Sequence, residues 1–67
     1  MTFTLKSETI DRYTVSIEQE KAEKSYTVYI TTPHGTIDRK SNPQPDMARA
    51  MRTYRRYMQY MVSMALA

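Results

Sequence analysis

Four arginines within eight residues form the densest group of charged side chains in this sequence: Arg49, Arg52, Arg55 and Arg56. A guanidinium group binds carboxylate or phosphate oxygens through paired hydrogen bonds, and a nearby tyrosine such as Tyr60 can stack on a base. No acidic residue follows Asp46, so these charges repel one another. We expect them to face an anionic partner, either DNA or RNA or an acidic protein surface. The alternative is that they form the solvated back of an amphipathic helix.

The same segment carries an apolar stripe with the spacing of an α-helix. Its members follow one another at steps of three and four residues: Met47, Met51, Tyr54, Met58, Met61 and Ala65. The pattern predicts a helix over residues 43–66. Asn42 is the expected N-cap, Pro43 suits the first helical position, and Asp46 favours the positive end of the helix dipole.

This helix offers more apolar surface than one small sheet can cover. The side chains in question are Tyr57, Tyr60, Met61 and Met64. Methionine-rich surfaces adapt to partners, and an exposed apolar patch on a small domain marks association. We therefore predict that these four residues bind a protein, either a second copy of the chain or a larger partner. The alternative is fraying of an exposed C-terminus.

Four stretches before the helix alternate apolar and polar residues, as half-buried strands do. They are residues 2–6, 13–19, 25–32 and 36–40. Residues 7–12 are expected to form a turn, and residues 20–24 a hairpin loop. Thr32-Pro33-His34-Gly35 fits a tight turn, because proline presets the backbone at the second position and glycine is permissive at the fourth.

The combined pattern predicts a single α+β domain over residues 1–67. Three or four antiparallel strands form a meander, and the long C-terminal helix packs on one face of the sheet. Whether residues 2–6 join the main sheet is left open by the pattern. The side chains expected to face the helix are Phe3, Leu5, Val15, Ile17, Val28, Ile30 and Ile37.

Composition narrows the functional classes. Residues 1–40 are neutral, with six basic and six acidic side chains, so the helical segment carries the whole net charge of +3. The chain has no cysteine and no uninterrupted apolar run that could act as a signal peptide or membrane span. We expect a complete short gene product that is cytoplasmic and does not interact with a membrane.

Nothing in the sequence favours catalysis. His34 is the only histidine and lies in the expected turn, and a chain with one glycine cannot build a glycine-rich phosphate loop. Metal binding would need several converging donor groups, and acid–base catalysis a walled pocket. The prediction is that the protein is not an enzyme and has no catalytic residues, cofactor or metal.

Two hypotheses of function follow. The first is a small protein-binding module that acts as an inhibitor or adaptor by occupying a surface of a larger protein. Small products of this kind are common in phages and mobile elements, where they block host enzymes or defence complexes. The second is a nucleic-acid-binding protein that uses the four arginines, although a net charge of +3 implies weak and salt-sensitive binding.

Overall fold

Four antiparallel strands and one helix make up the protein in the computed structural model, which describes residues 2–66 and the side chains of residues 2–65. The sheet follows chain order: β1 (Thr2–Ile10), β2 (Tyr13–Glu20), β3 (Ser25–Thr31) and β4 (Ile37–Lys40). Helix α1 (Met47–Leu66) packs against one face, mainly over β2 and β3. The prediction of an α+β meander with a C-terminal helix is confirmed, and the sheet has four strands.

The core lies between α1 and the two central strands. Val15 and Ile17 of β2 pair with Ile30 and Val28 of β3, and all four side chains are fully buried. Each contributes about 2 kcal/mol through the apolar surface removed from water. From α1, the buried residues are Ala50, Tyr54 and Met61. Half-buried residues surround this centre: Ile10, Tyr13, Tyr26, Met47, Met51, Tyr57 and Met58.

Strand β1 is longer than predicted and changes register at Leu5. Thr4 pairs with Glu18, but Lys6 pairs with Ile17, so one extra residue is inserted in β1. A one-residue shift exchanges the two faces of a strand, and Lys6 therefore lies on the helix side instead of Leu5. The prediction that Phe3 and Leu5 belong to the core is wrong: they are 40% and 45% exposed at the edge of the sheet, where α1 makes few contacts.

A two-residue turn joins β1 and β2. The expected turn over residues 7–12 is confined to Asp11 and Arg12, whose φ angles are 49° and 74°. Two successive left-handed residues form the turn whose twist matches that of an antiparallel hairpin. The polar residues 7–9 are therefore part of an exposed edge strand.

The predicted turn at Thr32-Pro33-His34-Gly35 is confirmed. The Gly35 N–H donates to the Thr32 carbonyl at 2.9 Å, and Gly35 has a φ of 86°, which suits a residue without a side chain. The register then shifts, so that Ile37 pairs with Thr31 on the face away from the helix. Ile37 is 60% exposed, and the prediction that it faces the core is wrong.

The segment before α1 extends the sheet instead of starting the helix. The Ser41 N–H donates to the Val28 carbonyl at 2.9 Å, and Gln44 and Tyr26 exchange two backbone hydrogen bonds of 2.7 and 2.9 Å. Residues that precede a proline avoid the helical conformation, as Asn42 and Gln44 do here. The predicted cap at Asn42 is therefore wrong, and α1 begins at Met47.

Candidate partner-binding surfaces

Asp46 caps the start of α1. Its Oδ1 accepts a hydrogen bond of 2.8 Å from the Arg49 N–H, which is the geometry of a helix N-cap. Its Oδ2 lies 3.5 Å from the Arg49 side chain. Asp46 therefore engages one of the four arginines within the protein itself.

A hydrogen bond between Tyr54 and Glu8 fixes the rotation of α1 relative to β1. The Tyr54 hydroxyl, on a side chain that is 2% exposed, donates to Glu8 Oε1 at 2.8 Å. Lys6 lies 3.4 Å from the same oxygen, and its ammonium group lies 5.5 Å from the Tyr54 ring centre. The register shift in β1 makes this contact possible, because it turns Lys6 and Glu8 toward the helix.

This contact changes the pKa of both partners. Burial raises the pKa of Tyr54 well above its ordinary value, and the hydrogen bond to the Glu8 carboxylate raises it further. The Tyr54 hydroxyl in turn lowers the pKa of Glu8; burial opposes this effect, and the hydrogen bond and charge of Lys6 lower the pKa further. Glu8 is therefore a carboxylate at neutral pH, and Tyr54 is its neutral donor.

The four residues predicted to bind a protein have two different environments. Met61 is 6% exposed and belongs to the core, and Tyr57 is half-buried against it. Tyr60 and Met64 are 40% and 58% exposed. Met61 packs on the sheet side, as the apolar stripe predicts, because a step of seven residues places it directly below Tyr54; the prediction that it also forms part of an exposed surface is wrong. Tyr60 and Met64 are the two that a partner can reach extensively.

Tyr60 and Met64 flank a groove of about 380 Å³ between the end of α1 and one end of the sheet. We call it the C-terminal groove. It is lined by residues of α1, the β1–β2 turn, β2 and β4: Asp11, Tyr13, Asp38, Tyr60, Met61, Met64 and Ala65. The Arg39 guanidinium lies over the Tyr60 ring, 4.8 Å from its centre. The groove therefore combines apolar walls with two carboxylates, and a guanidinium group lies beside it.

The arginines cover the side of α1 that faces away from the sheet. Arg49, Arg52 and Arg56 share one outward stripe, and Arg55 is turned toward β1; we call these four residues the arginine face. All four are exposed. Arg49 pairs with Asp46, whereas Arg52, Arg55 and Arg56 form no salt bridge within the described part of the chain. Three guanidinium groups are therefore free to bind an anionic partner.

A second groove, of about 400 Å³, runs between α1 and β1. Its walls include Met51 and Met58, and its rim carries Lys6 and Arg55 as well as Glu8. It exists because α1 lies over the centre of the sheet and leaves the edge strand partly uncovered. Most of its polar groups already contact one another through Glu8.

The sheet face opposite α1 is rich in hydroxyl groups and is uncovered by the described residues. Ser16 and Thr27 are buried among their neighbours, and Glu18 accepts hydrogen bonds of 2.8 and 2.9 Å from Thr4. Lys40 stands on this face with its ammonium group 5.9 Å from the Tyr29 ring centre. Lys40 lies on this face together with Glu18 and Glu20, so the face has no excess of positive charge with which to follow a phosphate backbone.

His34 is exposed in the β3–β4 turn, as predicted. Among the described residues, no group of three histidine, aspartate or glutamate side chains converges as a metal site would require. Within residues 2–66, no helix combines the length and apolarity needed to cross a bilayer. Comparisons with protein-family models, with curated proteins and with solved structures find no match to this chain.

Two features of these surfaces were not predicted from the sequence. The carboxylates of Asp11 and Asp38 line one groove although they lie on different hairpins, and the Glu8–Tyr54 bond joins residues 46 positions apart. A signal did exist for Asp11. Two polar residues between alternating runs that end at Ile10 and resume at Tyr13 are typical of a two-residue hairpin turn.

Proposed function

We propose that the protein is a non-enzymatic protein-binding module, which acts as an inhibitor or adaptor by occupying a surface of a larger protein. The observation that supports this most strongly is the exposure of Tyr60 and Met64, at 40% and 58%, on the last two turns of α1, where both side chains line the C-terminal groove. Large apolar side chains grouped beside a concave surface are typical of docking sites.

Docking of a partner would cover both the C-terminal groove and part of the arginine face. An apolar side chain of the partner enters the groove and buries the exposed parts of Tyr60 and Met64. Acidic side chains of the partner meet Arg52 and Arg56, which have no intramolecular carboxylate. Full burial of a methionine contributes roughly 1.5–3 kcal/mol, so the exposed half of Met64 accounts for about 1 kcal/mol of binding.

The size of the chain favours a larger partner. A standard interface buries about 800 Å² on each side, which is about one sixth of the 4788 Å² accessible surface of this protein. An interface of this area therefore fits on the surface of this small domain. In this proposal it is a phage or mobile-element product that acts in the cytoplasm on a host enzyme or defence complex.

The test is capture of the partner by the intact protein from nuclease-treated lysate, with two matched variants. Met64→Asp places a charge on an exposed apolar residue beside the groove, and Ile37→Asp places the same charge on an equally exposed residue of the opposite sheet face. We expect one stoichiometric protein with the unmodified chain and with Ile37→Asp, and its loss with Met64→Asp. Capture that disappears with nuclease treatment, or that both variants weaken equally, contradicts the proposal.

A nucleic-acid-binding function is the alternative, and the free arginines favour it. Arg52, Arg55 and Arg56 have no salt-bridge partner among the described residues, and none of them lies in the last turn of α1, where a positive charge would favour the helix dipole. An anionic ligand would explain this placement. Against the alternative stand the low net charge of the chain and the outer face of the sheet, which carries Glu18 and Glu20 with Lys40.

The alternative has a quantitative test in salt-dependent binding to a DNA duplex. Three phosphate contacts, one for each free arginine, imply that affinity falls about 40-fold between 50 and 200 mM salt. Arg52→Glu/Arg56→Glu should abolish this binding, whereas Lys21→Glu/Lys24→Glu, with the same change in net charge in the β2–β3 turn, should retain most of it. Absence of any salt-dependent complex excludes the alternative.

A further inference from the structure

The C-terminal groove contains charged groups as well as apolar walls, and these indicate the charge of its occupant. Asp11 and Asp38 stand at its rim on two different hairpins. Among the side chains of residues 2–65, neither carboxylate has a salt-bridge or hydrogen-bond partner. A groove that excludes part of the solvent and carries two unpaired carboxylates attracts a positive charge.

The end of α1 adds to this negative potential. The last carbonyl groups of a helix have no intrahelical partner and give its C-terminus a partial negative charge, which lysine or arginine in the last turn commonly offsets. Here the last turn has no basic residue, and the groove wall includes Ala65 in that turn. The C-terminal end of α1 and the two carboxylates therefore both favour a positively charged occupant.

The walls of the groove suit the body of a long cationic side chain. Tyr13 and Tyr60 present aromatic rings, and Met61 and Met64 present thioethers. Aromatic faces attract ammonium and guanidinium groups, and the methylene stem of lysine or arginine packs on apolar surface. The Arg39 guanidinium already lies over the Tyr60 ring, 4.8 Å from its centre, so the two carboxylates of Asp11 and Asp38 leave the groove with one negative charge in excess.

We propose that the C-terminal groove binds a lysine or arginine side chain of the partner protein, together with an adjacent apolar residue. This inference rests on the proposed protein-binding function and specifies the chemistry of the occupant. The apolar residue contacts Met64 and Tyr60, while the cationic group lies between Asp11 and Asp38. The arginine face selects acidic groups at the same time, so the partner surface carries both signs of charge in a fixed arrangement.

The test uses three short peptides that differ only at the central position: acetyl-Leu-Lys-Leu-amide, acetyl-Leu-Gln-Leu-amide and acetyl-Leu-Glu-Leu-amide. Titration into isotopically labelled protein should shift the amide resonances of residues 11–13, 38 and 60–65 most strongly with the lysine peptide. Two partly exposed ion pairs correspond to about fivefold tighter binding than the glutamine peptide shows. Equal affinity for the lysine and glutamine peptides overturns the proposal, as do shifts confined to other surfaces.

The deciding variant is Asp11→Asn/Asp38→Asn, because asparagine tolerates the left-handed conformation of residue 11. Its matched control is Glu18→Gln/Glu23→Gln, which removes two charges from a different pocket. We expect the first variant to abolish the fivefold preference and the control to retain it. If the captured partner binds Asp11→Asn/Asp38→Asn normally but is lost with Met64→Asp, the protein-binding function stands and the cation site is refuted. Self-association that blocks the groove against all three peptides also refutes it.

Discussion

Met61 and Met64 provide a direct test of how α1 divides between core and surface. The two methionines lie one helical turn apart, yet Met61 is 6% exposed and Met64 is 58% exposed. Replacement of either by alanine changes helix propensity by the same small amount, so the difference between the two variants reports burial alone. Each variant therefore serves as the control for the effect of the other on helix propensity.

The expected magnitudes follow from burial. Replacement of a buried methionine by alanine costs about 2–5 kcal/mol, and the open groove beside Met61 places it near the lower end, at about 2–3 kcal/mol. For a domain of this size this lowers the Tm by about 10–20 °C. Met64→Ala removes a side chain that is mostly in water, so its cost should stay within about 0.5 kcal/mol.

The assay is urea denaturation followed by circular dichroism at 222 nm, with thermal unfolding as a second measurement. Both variants should show the same slope against urea as the unmodified protein, since the same surface becomes exposed on unfolding. If Met61→Ala costs no more than Met64→Ala, then the end of α1 does not pack on the sheet as described. That result would refute the division of α1 into a core side and a partner-binding side.

Three further predictions concern the cap of α1, the β1–β2 turn and the dependence of stability on pH. Asp46→Ala should lower the free energy of unfolding, measured by chemical denaturation, by about 1 kcal/mol. Asp46→Asn should lower it much less, since an amide oxygen also accepts the capping hydrogen bond. Arg12→Gly should raise stability by about 0.5 kcal/mol, because arginine is strained at a φ of 74°; a loss of stability would contradict this turn geometry. Because the folded state raises the pKa of Tyr54, the unfolded chain loses that proton first, and stability should fall as pH rises above 10.0; Tyr54→Phe should remove this decline. Because folding lowers the pKa of Glu8, the unfolded chain takes up that proton first, and stability should also fall as pH drops below 4.5, a loss that Glu8→Gln should reduce.

The fold class was predictable because β2, β3 and α1 each have an unambiguous period. Alternation in residues 13–19 and 25–32 placed the four buried aliphatic side chains correctly, and the three-to-four spacing from Met47 onward placed the helix. These periods are local properties of the chain. They match the folded protein because the strands and the helix bury their apolar sides against each other.

The wrong predictions have a common cause, which is that they depend on contacts between residues remote in the sequence. Exposure of Leu5 and Ile37 results from one-residue register shifts, which depend on pairing with a neighbouring strand and leave little trace in the local pattern. The late start of α1 results from hydrogen bonds between Gln44 and Tyr26, which are remote in sequence. Convergence of Asp11 and Asp38 likewise depends on the arrangement of two hairpins. Contacts of this kind could not be predicted from local sequence patterns.

The arginine face was predictable as a cluster, and its role remains a proposal. The structure adds that Arg49 is held by Asp46 whereas Arg52 and Arg56 are free, which a charge count does not distinguish. The predicted apolar surface is reduced by the burial of Met61 to a smaller set centred on Tyr60 and Met64. Both surfaces lie on one helix, so a single partner can contact them together.

The most direct test of the proposed function is the affinity of the captured partner for three forms of the protein: unmodified, Met64→Ala and Ile37→Ala. Both variants truncate exposed apolar side chains, at 58% and 60% exposure, and should fold normally. Loss of about 1 kcal/mol from the groove predicts about a fivefold rise in Kd for Met64→Ala and a change of less than about twofold for Ile37→Ala. Equal affinity of the partner for all three forms would show that the end of α1 is not where it binds.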